Sequence, residues 1–394
     1  MSIERLEPMT GCGILGILKC LAGIPGVLPL IHGPVSCSSG HRLAMLYADV
    51  EPLLPTTAVV ERDMALGARD KLREALIEAW RQYHPGLLAV ILTCATSLVE
   101  EEYESILLDY ERQTGGAAVL LDGSGLAGDE TDAPGAVYDA LYRKLRIVPA
   151  ASGEFLALEG LLLTDYNRRD NFPALWELIE TGIGCRVTPG LFSGISLPEL
   201  SADYRVAGKV FTGLLWRRSE PDSAAPFGAA GSRRFLEWLA GQTGRRGLTP
   251  HGLDAYDRAV KELEPLAQKL RSHAVPVAIE AAGWYGYGLA DFLTNELGCR
   301  VLLCVDRAHP KKPERPICEE FYEDVGRWEL VELMKAFGAR LVFGSSNVRS
   351  DDNWDYIPFF APVWRTEEPI GALLGYEGAL TIANRLLKLA EGAP

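Results

Sequence analysis

Short apolar runs alternate with stretches of helical period along the chain, and turn residues separate them, which is the pattern of parallel α/β architecture. The apolar stretch 13–31 is broken by Lys19, Pro25 and Pro29, so it reads as a buried helix followed by a strand and not as a membrane span. The strand, 27–31, runs into the turn His32-Gly33-Pro34. Residues 70–83 have the spacing of an amphipathic helix. Residues 87–92 form a continuous apolar strand ending at Thr93-Cys94, and 117–121 form the next, ending at Asp122-Gly123. The segment 123–135 is rich in Gly, Asp and Ala and reads as a loop. A break near Gly153 opens a second unit, with strands at 160–164, 185–187 and 209–215 and a helix at 172–181. Residues 219–231, rich in Ser, Pro, Ala and Gly, suggest an exposed connection. A third unit starts near Val275, with strands at 275–280, 300–305 and 340–344 and a closing helix at 376–389. The pattern therefore predicts three α/β domains, 1–152, 153–272 and 273–394.

Composition narrows the function. With 394 residues, 48% hydrophobic and 23% charged, the chain has the make-up of a soluble globular protein of two or three domains. A formal net charge of −14 argues against a nucleic-acid partner and suits docking to a basic patch. The eight cysteines are irregularly spread, and the opening Met-Ser-Ile-Glu-Arg-Leu-Glu is acidic where a secretory signal is basic. A reducing cytoplasm is the expectation, with neither a disulfide scaffold nor a membrane anchor.

Three of the cysteines stand apart. Cys12 lies in Thr-Gly-Cys-Gly, Cys37 in His-Gly-Pro-Val-Ser-Cys, and Cys94 in Ile-Leu-Thr-Cys-Ala-Thr. Glycine-rich turns and strand ends let backbone approach a bulky inorganic cluster and donate amides to its sulfurs. Separations of 25 and 57 residues are too wide for a zinc knuckle, and they suit a cluster wedged between distant loops. Cys20 falls on the first helix and reads as core, while Cys185, Cys299 and Cys304 sit in or beside strands as small hydrophobes.

Other candidates weigh less. Gly11-Cys12-Gly13-Ile14-Leu15-Gly16 matches the dinucleotide fingerprint but follows no strand. Gly283 to Gly288 does follow a strand, and its glycines would either admit a ligand or allow tight packing. No phosphate-binding G-x-x-x-x-G-K-[ST] run occurs, so ATP hydrolysis by that route is not expected. His32 and His41 flank Cys37 and invite a metal reading, although a histidine before a Gly-Pro turn usually bonds backbone. The triplet Glu100-Glu101-Glu102 reads as helix N-terminal charge. Ser36, Ser38 and Thr93 are hydroxyls placed to donate to a cluster sulfur or to serve as turn residues.

The same residues carry a family likeness. Residues 11–16, the strand and turn 27–37, and Val90-Ile91-Leu92-Thr93-Cys94-Ala95-Thr96 resemble component 1 of nitrogenase and its relatives. Thr56-Thr57, Glu61, Gly67, Lys71-Leu72, the run 162–167 and the closing Gly375-Tyr376-Glu377-Gly378 fit as well. The resemblance covers most of the chain and is strongest over 9–105. It implies three Rossmann-like parallel α/β domains. It also implies that Cys12, Cys37 and Cys94 ligate an iron–sulfur cluster at a subunit interface, either of the eight-iron P-cluster type or 4Fe–4S. Gly11, Gly33 and Ser36 would shape that cluster's pocket, and a separate ATP-hydrolysing iron–sulfur protein would deliver electrons.

There is no cysteine between Cys185 and Cys299 and no histidine beyond His309, the regions where the family's catalytic α-type subunit grips its metallocofactor. The chain therefore resembles the β-type partner of an α2β2 complex. Glu100-Glu101-Glu102 stands where the family often has Gly-Asp-Asp, which favours a nitrogenase-like reductase, of the methylthio-alkane reductase kind, over nitrogenase itself. Two alternatives stand beside it: a homodimeric reductive cyclase acting on a nickel tetrapyrrole, and a scaffold for metallocofactor assembly.

Overall fold

In a computed structural model the described residues are 11–48, 50–99, 101–130, 132–147, 155–165, 167–201, 208–211, 225–306, 315–323, 325–345, 348–349, 354–359 and 370–392. They build three parallel sheets flanked by helices. The first contains α1 (Gly13–Ala22), β1 (Val27–His32), α2 (Val35–Tyr47), α3 (Glu61–Leu66), α4 (Arg69–Tyr83), β2 (Leu87–Leu92), α5 (Cys94–Leu98), α6 (Tyr103–Thr114), β3 (Ala118–Asp122) and α7 (Ala133–Leu145). Its strand order is β1-β2-β3. Every residue of the central β2 is buried, which explains its unbroken apolar run. Pro29 is tolerated because β1 is the outer strand and its residue 29 faces away from β2. Two residues on, the Ile31 amide on that same side is taken by the Pro55 carbonyl at 2.9 Å, and the segment from Pro55 to Val59 runs beside the end of β1.

The second sheet has order β5-β4-β6, from β4 (Phe155–Glu159), α8 (Arg168–Ile183), β5 (Arg186–Pro189), α9 (Leu197–Ser201) and β6 (Gly208–Phe211). The strand expected at 160–164 lies five residues earlier. Gly160 has φ +94°, which ends the extended run. Leu161 and Leu162 are buried by packing of the following loop and not by a ladder, with the Leu161 amide on Ser193 Oγ at 3.1 Å. An apolar run alone does not separate those two kinds of burial.

The third sheet follows α10 (Gly228–Gln242) and α11 (Pro250–His273). It contains β7 (Pro276–Ala282), α12 (Gly283–Asp291), β8 (Arg300–Asp306), β9 (Glu320–Glu323), α13 (Arg327–Phe337), β10 (Leu341–Gly344), β11 (Asp355–Pro358) and α14 (Gly375–Ala390), in the order β11-β10-β7-β8-β9. Thr249 caps α11 by accepting the Gly252 amide at 2.9 Å, with Pro250 at the first helical position. Residues 225–231, expected as an exposed connection, are buried and begin α10, while 219–224 lie outside the described residues. A Cβ on Gly288 would stand 2.4 Å from Ala225 Cβ, and one on Gly286 would stand 3.1 Å from Ala281 Cβ. The glycines near 283–288 thus serve close packing of α12. Leu156, Ile179, Phe235, Leu293, Leu303 and Leu386 belong to one hydrophobic cluster, so the second and third sheets share a core. No helix among the described residues is long and apolar enough to cross a membrane.

Candidate metal centre

Cys12, Cys37 and Cys94 stand at the starts of three helices. Cys12 is the N-cap of α1, Cys37 lies in the first turn of α2 and Cys94 is the first residue of α5. The sequence places them there because each strand or turn ends in a residue that leaves the helical region, such as Pro34 at ψ 152° and Thr93 at ψ 171°. All three are free thiols; Cys12 and Cys37 are half-buried and Cys94 is exposed. Burial pushes the Cys37 thiol up; the neighbouring Cys12 and Cys94 sulfurs push it further, and the Ser36 hydroxyl partly offsets them. The three sulfurs therefore share one electrostatic neighbourhood.

Each sulfur has a hydrogen-bonding partner of its own. The Gly125 amide points at Cys94 Sγ at 3.3 Å, and a Cβ on Gly125 would lie 3.9 Å from that sulfur. His41 Nε2 lies 2.9 Å from Cys12 Sγ. Burial raises the Cys12 thiol, but the bond to His41, its charge and the Ile14 and Leu15 amides outweigh burial and leave it below its ordinary value. Ser38 and Thr93 are otherwise engaged: Ser38 Oγ donates to the Leu54 carbonyl at 2.7 Å, and Thr93 Oγ1 pairs with Thr96 Oγ1 at 3.3 Å. Of the three hydroxyls noted from sequence, Ser36 is the one at a candidate sulfur.

The glycines act on the frame. Gly33 is buried, its amide donating to Thr57 Oγ1 at 3.1 Å, and a Cβ there would stand 2.3 Å from Thr93 Cγ2. It brings the turn carrying Cys37 against the strand end carrying Cys94. Gly11 donates its amide to Glu130 Oε2 at 2.9 Å and accepts the Glu130 amide at 2.9 Å. Glu130 is fully buried and also holds the ammonium of Lys19, 7% exposed, on α1. Sequence reasoning missed this anchor. A lysine inside an apolar helix calls for a buried partner, but nothing nearby in sequence names one 111 residues away.

His32 is structural. It is fully buried, with Nδ1 3.0 Å from Thr57 Oγ1 and its ring edge-on to Tyr103 at 4.8 Å, and burial lowers its pKa to about 4. Glu101 is no simple helix-terminal charge: it accepts from the Ala68 amide at 3.0 Å and from Tyr103 Oη at 2.9 Å, while Glu100 lies outside the described residues. Cys20, Cys185, Cys299 and Cys304 are buried, and burial raises all four thiols, Cys299 to about 12.

A family model described as nitrogenase component 1 type oxidoreductase matches residues 12–202 and 215–391. The chain belongs to that family. Curated relatives match locally. The NifE cofactor biosynthesis protein of Nostoc sp. PCC 7120 is 25% identical over 124 residues, 30% of this chain and 26% of that protein. The nitrogenase molybdenum-iron protein beta chain of Rippkaea orientalis is 26% identical over 103 residues, 26% of this chain and 20% of that one. CfbD, a component of the Ni-sirohydrochlorin a,c-diamide reductive cyclase complex of Methanothermobacter thermautotrophicus, is 33% identical over 89 residues, 23% of this chain and 24% of that one. The aligned stretches thus span about a quarter of each relative's length. A solved structure, nitrogenase Cp1 at pH 6.5, superposes with TM-score 0.77 at 14% identity, covering 100% of this chain and 94% of that chain, which shows the shared fold.

Members of this family carry iron–sulfur clusters and work as partnered subunits, so the donor set was tested against such a group. Three thiols, each with a hydrogen-bonding partner and none sealed in the core, fit thiolate ligation. Among the described residues no three His, Cys, Asp or Glu side chains converge on one ion.

Proposed function

We propose that this chain is the β-type subunit of a nitrogenase-like reductase, with Cys12, Cys37 and Cys94 holding an iron–sulfur cluster shared with a homologous α-type subunit. The observation that carries this reading is that three thiols, at least partly open, stand at the starts of three helices of the first unit, with His41 between Cys12 and the Cys37 backbone and the Gly125 amide on Cys94. Bound there, such a cluster would take up and pass on single electrons. The chain's own residues do the rest: the thiolates fix the group, Gly125 and Ser36 donate toward sulfur, and the Gly11–Glu130–Lys19 anchor holds the start of α1 in place.

A partner over this face is supported by its surface. Val35 (56% exposed), Leu43, Leu46 and Tyr47 on α2, with Leu53, leave large apolar side chains in solvent along and after the helix that carries Cys37. An ATP-hydrolysing iron–sulfur protein as electron donor agrees with the missing phosphate-binding motif, and methylthio-alkane reduction in the partner is the specific activity we assign. Two other readings, a reductive cyclase and an assembly scaffold, rest on the local CfbD and NifE matches, which stand beside the equally local match to a molybdenum-iron protein beta chain.

The test is anaerobic purification from the native host, with native mass and iron measured on one sample. A hetero-oligomer with iron beyond one small cluster per dimer, active with an ATP-dependent reductase, supports the main reading. The same complex without turnover points to the scaffold. A homodimer with one small cluster points to the cyclase.

A further inference from the structure

His41 has both ring nitrogens directed at cysteine groups. It lies one turn beyond Cys37 in α2, so its Nδ1 folds back onto the Cys37 carbonyl at 2.5 Å. A carbonyl oxygen only accepts, so Nδ1 is the donor in that contact and the backbone of α2 sets the plane of the ring. Nε2 then faces Cys12 Sγ at 2.9 Å, across 29 residues of sequence. The imidazole therefore spans from the start of α2 to the start of α1, the two helices whose first turns present Cys37 and Cys12. Thr96 Oγ1, donating to the His32 carbonyl at 2.7 Å, ties the Cys94 segment to the Cys37 segment, and His41 ties the Cys37 segment to Cys12. Metal-ligating histidines are fixed by the same lock, one ring N–H donated to a carbonyl so that the other nitrogen is held in a set direction.

We propose that His41 is the positioning residue of this metal centre: through Nε2 it aims the Cys12 sulfur, and through Nδ1 it ties that aim to the Cys37 backbone. The inference rests on the reading that Cys12, Cys37 and Cys94 hold an iron–sulfur cluster. With Nδ1–H given to the carbonyl, Nε2 donates to a ligating sulfur as the second N–H of an imidazolium, and such a hydrogen bond draws electron density from the sulfur and raises the reduction potential of the group it holds. The ring also couples two ligands that separate segments carry, so losing it loosens both.

The full-length chain is loaded anaerobically with iron and sulfide as wild type, His41→Phe, His41→Gln and Cys12→Ala. Iron content, the rate of iron loss to a chelator and the midpoint potential are then measured, with circular dichroism confirming that each variant is folded. His41→Phe, which keeps the size of the ring but neither nitrogen, is expected to load iron and then lose it about 10–100-fold faster, at a more negative potential. His41→Gln, which retains an amide donor, recovers part of both. Wild-type lability and potential in His41→Phe would overturn the proposal. So would a strong 15N coupling to the reduced cluster, or folded Phe and Gln variants that are equally empty of iron, since the imidazole would then be a ligand. Full iron in Cys12→Ala would instead overturn the ligand reading itself.

Discussion

The same residue type meets opposite fates at the two ends of this molecule. In the first unit, three of the four cysteines sit where strands and turns end and helices begin, with hydrogen-bonding partners at their sulfurs and at least part of the side chain open, while Cys20 is buried in α1. In the third, Cys304 lies inside β8 and Cys299 just before it, both buried, and burial drives both thiols up until they are inert. A thiol gains coordination chemistry from position at an element's end, and loses it within a ladder packed on both faces.

The sharpest way to break that contrast is to remove one cysteine from each region. Cys37→Ala is expected to abolish iron binding, and Cys304→Ala to leave iron content unchanged while costing about 1–3 kcal/mol of stability. Equal iron loss in both variants would dissolve the distinction. The next largest effect is expected at the anchor. Glu130→Ala strands the Lys19 charge in the core and should cost about 3–5 kcal/mol in denaturant unfolding. A loss under 1 kcal/mol would mean that Lys19 reaches solvent.

Gly33→Ala presses a methyl onto Thr93 and should cost about 1–3 kcal/mol while lowering iron retention, because it separates the Cys37 and Cys94 segments. Its counterpart in the third unit, Gly286→Ala, meets a looser 3.1 Å contact and should lower stability without touching iron.

The most gradual effect is on pH. His32 has a folded pKa of about 4 against 6.5 when free, so the unfolded chain takes up its proton first as pH falls. Stability is therefore lost between about pH 6.5 and 4, at no more than about 1.4 kcal/mol per pH unit. His32→Asn should flatten that slope in urea melts, and an unchanged slope would assign it to other groups.

The fold's periodic parts were legible in the chain. The expected strand at 87–92 coincides with β2, and the helix at 70–83 begins one residue late, because an unbroken apolar run and an amphipathic spacing are local signals. The strand misplaced at 160–164 and the missed β9 and β11 show where local signals fail: loop packing hides the first, and the others are short, partly exposed strands of four residues each. For the candidate site, the three thiols could be picked from their glycine-flanked contexts, and Cys20 set aside as core, by reading alone.

What the sequence determined by itself was the periodic elements and the parallel α/β class, and it singled out three candidate thiols. Each is written within a few residues, through side-chain period and the turn residues beside it. Tertiary structure alone decided which side chains serve those thiols. Glu130 reaches Gly11 and Lys19 over more than a hundred residues, and His41 reaches Cys12 over 29, while the adjacent Ser38 is diverted to Leu54. Hydrogen bonds form between groups that folding brings within 3 Å or so, and chain distance carries almost no information about that.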